Sequence, residues 1–145
     1  MMRPNRSSCP INRGVEFLGD RWSLVIIRDM VFVGRSGFRE LLSGSREGIT
    51  PSTLSARLKS LEEAGLIVKA DVARGHKGTY HLTEAAVQLV PLLFELAHIG
   101  SILDPSTDST EPRFEGWYGD HDKIGDYMDE LRRREGLPLA QGGRG

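Results

Sequence analysis

The stretch Thr50–Ile67, TPSTLSARLKSLEEAGLI, decides how the rest of the chain is read. Thr50 is a good helix N-cap and Pro51 fits the first helical position, where its missing N–H costs nothing. Leu54, Leu58 and Leu61 recur at spacings of four and three, which places them on one side of a helix. Gly65 follows the last turn and suits a left-handed C-cap. With the leucines facing a core, Ser52, Ala56 and Lys59 lie opposite. Thr53 and Ser60 flank one edge, Ser55 the other, and Arg57 sits near the boundary. The outer face is therefore small near its start and cationic further on. A helix enters the DNA major groove only if bulky side chains do not hold it off. A leucine seam with a polar far side also describes an ordinary surface helix, so the neighbours of this stretch must decide.

Upstream, Ile11, Val15 and Leu18 recur at helical spacing behind Pro10. Asp20 is placed to cap a largely apolar helix from Trp22 to Phe32. Ser36 is placed to cap a short helix, residues 37–42. Downstream, residues 66–72 read as a strand and 79–82 as its return. Between them lies the basic, glycine-containing turn Arg74-Gly75-His76-Lys77-Gly78. Thr83 then opens a long helix to about Leu103, with Pro91 as a kink or local break. The order is three helices, a capped helix, then two strands joined by a basic turn. That is a winged helix-turn-helix: a mainly α fold (α+β) with a small β-hairpin wing, followed by a long C-terminal dimerisation helix. Residues 1–9 read as a flexible segment and 10–103 as the DNA-binding and dimerisation domain. Residues 104–120 read as a linker, 121–136 as a C-terminal helix and 137–145 as a disordered tail.

Composition narrows the function. The chain of 145 residues has 39% apolar and 27% charged residues, the balance of a globular protein. No apolar run reaches the ~18 residues that span a bilayer, and the first residues carry no apolar signal core. The net charge of −1 hides an asymmetry: residues 1–80 hold 13 Lys+Arg against 8 Asp+Glu, and residues 81–145 hold 6 against 12. A basic first part permits a polyanionic partner. With the single cysteine Cys9, a Cys-rich zinc site is excluded. Histidines 76, 81, 98 and 121 show no metal-ligand spacing, and Asp120-His121-Asp122 reads as a helix cap. No nucleophile elbow or phosphate loop is present, so no enzyme, cofactor or metal is expected.

The residues now assembled resemble the HxlR-type winged-helix transcriptional regulators, relatives of the MarR-like regulators. Cys9-Pro10 followed by Leu18-Gly19-Asp20-Arg21-Trp22-Ser23-Leu24 looks like the opening signature of that family. The likeness continues through Phe38-Arg39-Glu40-Leu41, Ile49 to Ser55, Arg57-Leu58, Leu61-Glu62, Gly65-Leu66-Ile67 and Tyr80-His81-Leu82-Thr83. It covers about residues 9–103. Where the family often has a tryptophan before the glycine near the end of the long helix, Ile99 stands here. The resemblance implies a homodimer on double-stranded DNA, with recognition helices in successive major grooves of a roughly palindromic site.

Carried over by position, Thr50, Ser52, Thr53, Ser55, Arg57 and Lys59 become recognition-helix candidates. Arg74, His76 and Lys77 become wing candidates, and Arg39 a phosphate contact. The dimer would use the first helix and the long helix, with Val87, Val90, Leu93, Leu96 and Ile99. In some members the cysteine equivalent to Cys9 senses oxidants; Arg6, Arg13 and the helix start are the features that would make a thiol reactive. A small-molecule effector is a further candidate partner, in a cavity lined by Phe17, Trp22, Leu93 and Phe94. The expected compartment is the bacterial or archaeal cytosol, close to the nucleoid. The alternative from a different class is a winged-helix protein-interaction module that never touches DNA.

Overall fold

The computed structural model describes residues 4, 6–70, 78–107 and 111–140. The chain divides into two compact units, residues 1–83 and 84–145. In the first, α1 (Pro10–Leu18), α2 (Ser23–Arg28), α3 (Phe38–Ser43) and α4 (Pro51–Glu63) precede the hairpin β1 (Ile67–Lys69) and β2 (Tyr80–Leu82). The expected helix beyond Trp22 is α2 followed by a π-helical turn, Asp29–Val33, which Gly34 closes at φ 78°. A π turn widens the backbone by one residue per hydrogen bond and re-aims the side chains on it. Here it buries Asp29, whose carboxylate pairs with Arg28 at 3.0 Å and Arg35 at 3.5 Å.

Helix α4 follows its sequence closely. The Thr50 hydroxyl oxygen accepts from the Thr53 amide at 3.3 Å and Pro51 takes the first helical position. Leu54, Leu58 and Leu61 are fully buried, together with Ile26, Ile27, Met30, Val31, Leu41, Ile67 and Leu82. Gly65, at φ 76°, ends the helix in a Schellman motif: its own amide donates to Glu62 O and that of Leu66 to Leu61 O, both at 3.0 Å. The reversal sends the chain into β1, which pairs antiparallel with β2 in the register Ile67↔Leu82, Val68↔His81 and Lys69↔Tyr80. A bridge between Gly37 and Thr79 adds the chain before α3 to the sheet edge.

Two caps differ from expectation. Gly37, not Ser36, sits at the N-cap of α3, because Ser36 uses its carbonyl to accept the Tyr80 amide at 2.7 Å. Thr83 donates its hydroxyl to Gly65 O at 2.6 Å and Leu66 O at 3.1 Å, which fastens the end of the hairpin to the end of α4.

The second unit contains α5 (Glu84–Val87), α6 (Val90–Leu103), α7 (Arg113–Gly116) and α8 (His121–Glu135). The expected long helix is two helices with a turn at Gln88–Leu89, and Pro91 lies in the first turn of the second, where it lacks no needed donor. Helix α7 stands inside the stretch expected as a linker. Helix α8 has Asp120 as N-cap, accepting the Lys123 amide at 3.0 Å, and Gly136 as its left-handed terminus. It packs on α5 and α6 through Ile124, Tyr127 and Leu131. Arg132, 5% exposed, is satisfied there by Glu84 at 2.8 Å and Asp129 at 2.9 Å. Phe94 is the hub: Phe114 meets it edge-on at 5.8 Å and Trp117 stacks at 6.4 Å, while Trp117 also meets Tyr127 at 5.8 Å.

Replacing Leu58 by Ala should lower stability by about 2–5 kcal/mol, since the site is closely packed and leaves a cavity. Ser52→Ala should change it by less than about 0.5 kcal/mol. Urea denaturation of the two variants checks the orientation of α4. In the second unit the Arg132 guanidinium holds the Glu84 carboxyl below its ordinary range. A lowered folded pKa means stability that is complete above the unfolded value and is lost as pH falls through the folded one. Glu84→Gln should therefore cost stability at pH 7 and progressively less as pH falls below the ordinary glutamate range and through the lowered folded value. Thermal melts across that range read the difference.

Candidate nucleic-acid interface

The outer side of α4 carries Ser52, Ser55, Ala56, Lys59 and Ser60, all exposed, with Thr50 exposed at its start and Thr53 half-buried. Thr50 and Thr53 are tied together by a hydroxyl–hydroxyl bond of 2.9 Å, so the start of the helix presents a compact polar surface. The Ser60 hydroxyl donates back to Ala56 O at 3.1 Å. Lys59 has no ion-pair partner among the described residues. Arg39, on α3, is exposed and its side chain has none either. Two further exposed cations, Arg21 between α1 and α2 and Arg46 in the turn before α4, are absent from the sequence-based set. Arg46 sits inside the loop of a helix-turn-helix, and that position was the legible signal.

Arg57 is not simply presented to solvent. Its guanidinium lies 3.5 Å from the Asp20 carboxylate, and both side chains are about two-thirds buried. Asp20 is itself fixed: one oxygen accepts the Trp22 and Ser23 amides, each at 2.8 Å, and the other accepts the Ser23 hydroxyl. Burial pushes this carboxyl up, but the Ser23 hydroxyl, the two amides and Arg57 together hold it below its usual range. The N-cap position of α2 is Trp22, not Asp20 as expected, but Asp20 still satisfies the amides at the helix start and orients a cation on α4 at once.

The turn leading into α4 is held by a second bridge. Arg28 donates to both oxygens of Glu47, at 2.6 and 3.1 Å, and pairs with buried Asp29. The Glu47 carboxyl is held low mainly by its hydrogen bond from Arg28. Arg35 lies over Gly44 so closely that a Cβ there would fall 2.3 Å from its Nε. The α3–α4 turn is therefore positioned by an ion pair to the end of α2 and by the packing of Arg35 over Gly44.

The wing candidates Arg74, His76 and Lys77 lie outside the described residues. Phe17 and Trp22 belong to the first unit, Leu93 and Phe94 to the second. Phe17 faces Arg13, 4.6 Å from its ring centre, and Phe94 fills the aromatic cluster. Cys9 is exposed at the N-cap of α1. The nearby Arg6 and Arg13 both pair with Glu16, at 3.4 and 3.0 Å. His98 stacks on Tyr118 with ring centres 3.9 Å apart. No cluster of metal-ligating side chains occurs among the described residues.

Val87 on α5 and Val90 and Leu93 on α6 are buried within the unit, whereas Leu92, Leu96, Ile99, Ile102 and Leu103 of α6 are exposed. Leu92, Leu96, Ile99 and Leu103 follow the i, i+4, i+7, i+11 spacing of a helix-pairing seam. Residues 84–103 have the length and apolar character of a membrane span, but the turn at Gln88–Leu89 interrupts them and their covered side packs on α7 and α8. Exposed Ile11 and Val15 on α1 form a smaller apolar pair.

Residues 17–106 match the family model described as HxlR-like helix-turn-helix. The chain belongs to that family. It is 34% identical over 107 residues to the uncharacterised HTH-type transcriptional regulator Rv3095 of Mycobacterium tuberculosis, covering 73% of this chain and 61% of that protein. It thus spans somewhat less than two-thirds of the length of its mycobacterial relatives. It is 33% identical over 97 residues to the HTH-type regulator BH0655 of Halalkalibacterium halodurans, covering 66% of this chain and 85% of the relative. Among solved structures, PA1607, a candidate transcription factor, superposes with a TM-score of 0.64 at 32% identity, covering 72% of this chain and 73% of the other. The reduced form of the transcriptional regulator YodB from B. subtilis gives 0.56 at 25% identity, covering 70% and 100%. These relatives are named as transcriptional regulators, not enzymes.

Asp20→Ala should lower stability at neutral pH by about 1 kcal/mol, the usual worth of a helix cap. Because the folded carboxyl titrates lower than the unfolded one, the loss should shrink below about pH 3. Denaturant melts at both pH values read it.

Proposed function

We propose that the chain is a sequence-specific DNA-binding transcriptional regulator that acts as a homodimer on a roughly palindromic operator. The observation that carries this reading is α4: a helix with its leucine seam wholly buried and a small, hydroxyl-rich, cationic face exposed. In the proposed complex α4 lies in the major groove. Ser52, Thr53 and Ser55 meet base edges or phosphates, as their short hydroxyls allow. Lys59 and Arg57 reach phosphate or guanine, with Arg57 steadied by Asp20. Thr50, Arg39, Arg21 and Arg46 engage the flanking backbone, and Arg74, His76 and Lys77 the adjacent groove. A dimer places two copies of α4 one helical turn apart, which is why the operator should be a near-palindrome.

The exposed seam Leu92–Leu96–Ile99–Leu103 supports the dimer. A contiguous apolar stripe on an otherwise packed unit is unusual for a surface that faces water alone. The interface proposed from sequence is refined accordingly: Val87, Val90 and Leu93 serve the core of the protomer, while Leu96 and Ile99 remain for the partner.

The test is binding to DNA upstream of the chain's own gene, at several salt concentrations, against excess competitor DNA. Specific binding that weakens with salt is expected, because each neutralised phosphate releases counterions. Loss of all binding at low salt would favour the protein-interaction reading. Arg57→Ala with Lys59→Ala should weaken operator binding by about 30-fold or more, at roughly 1–3 kcal/mol for each of the two lost contacts, with thermal stability nearly kept. Leu96→Lys with Ile99→Lys should convert the dimer to monomer in sedimentation and lower operator affinity.

A further inference from the structure

The C-terminal extension does more than cover α6. Between α6 and α8 lies a cleft of about 170 Å³, contained within the second unit and lined by Phe94, Glu95, Tyr118, Ile124, Gly125 and Met128 among others. Its far wall, residues 118–128, lies beyond the stretch that matches the family. We propose that this cleft binds a small organic monocation with an apolar body, of the aryl-alkyl ammonium class. The proposal is independent of the DNA-binding reading.

Three observations carry it. The first is volume: at about 170 Å³ the cleft is smaller than a drug-sized pocket but takes a small fragment, and its walls are mostly apolar. The second is charge. Glu95, a solvent-exposed residue, lines the cleft with His121 and has no ion-pair partner among the described residues; its hydrogen bond comes from the Tyr118 hydroxyl at 3.3 Å. The Tyr118 ring is held in place by stacking on His98. A carboxylate at the edge of apolar walls favours a cation through direct pairing. Residues 81–145 add to that field with 12 Asp+Glu against 6 Lys+Arg.

The third observation is Gly125. It sits inside α8, where glycine is the weakest helix former apart from proline. Its φ is ordinary, and a Cβ built on it would meet nothing within 4 Å. Neither backbone conformation nor close packing of the protein therefore calls for glycine there. Gly125 lines the cleft, so its missing side chain leaves the cleft open.

Pro91, Phe94, Glu95 and His98 follow i, i+3, i+4, i+7 along one stripe of α6, and Leu92, Leu96, Ile99 and Leu103 follow the adjoining one, with Glu95 at the border next to Leu92 and Ile99. The two roles use different side chains.

The experiment uses the full chain and benzylammonium as the probe, with benzyl alcohol as its neutral counterpart, in ligand-detected saturation-transfer NMR and calorimetry at about pH 7.5. Wild type should bind the amine at least ten times more tightly than the alcohol. Glu95→Gln should erase that preference. Gly125→Leu should abolish saturation transfer to the amine while its melting temperature stays level or rises, because leucine is the better helix former. Equal affinity for amine and alcohol, no transfer to the amine, or unchanged binding by Gly125→Leu would each overturn the proposal. Should the leucine variant melt early, retention of the amine preference in Glu95→Gln would overturn it alone.

Discussion

The burial of Leu54, Leu58 and Leu61 is the constraint on which the first unit depends. These three side chains fix the rotation of α4 about its own axis, because turning the helix would exchange leucine for serine and lysine in the core. Fully burying such side chains contributes about 1.5–3 kcal/mol each, far more than any single contact on the outer face. The exposed face is therefore set by what lies beneath it. Its hydroxyls and cations contribute little to folding, and that frees them for another surface.

Around that anchored helix, ionic contacts do a different job. Arg28–Glu47 and Arg57–Asp20 connect the region between α1 and the π-helical turn to the turn before α4 and to α4 itself, while Arg28–Asp29 steadies the arginine locally. None is deeply buried on both sides, so none is a large stabiliser. What they supply is direction. Asp20 is held by three hydrogen bonds before Arg57 reaches it, so the guanidinium meets an acceptor that is already oriented. In a helix meant to present a few side chains to a partner, preorganisation of this kind lowers the ordering cost of association.

Much of this was legible from sequence because local chemistry and tertiary packing agree. Thr50, Pro51, the leucine spacing and Gly65 all point to one helix, and α4 begins and ends where they say. The less legible parts are those where a distant contact overrules a local preference. Ser36 gives up capping because its carbonyl is drawn to Tyr80, and Thr83 turns back to Gly65 and Leu66. The π turn at Asp29 has no periodicity signature, since one extra residue leaves the apolar pattern intact. Arg57 reads as a boundary residue on a helical wheel, and only the fold brings Asp20 to it from more than thirty positions away. The same holds for Leu93, which shares a spacing class with Leu96 but lies under the extension, while Leu96 does not.

The extension changes what α6 is. A helix that exposes leucine and isoleucine along one side and tucks Phe94 into the other needs two coverings. The second unit supplies one of them from its own chain: Phe114, Trp117 and Tyr127 close around Phe94, and Arg132 locks α8 to Glu84. That packing is nearly complete, as the buried Val90, Leu93, Ile124 and Leu131 attest. It is looser at the cleft that Gly125 and Glu95 both line. A core built only for stability would place alanine there, since it favours the helix by about 1 kcal/mol and meets no obstruction. The departure from that optimum is local, lies beside the exposed Glu95 carboxylate and occurs in a segment outside the family-matched stretch.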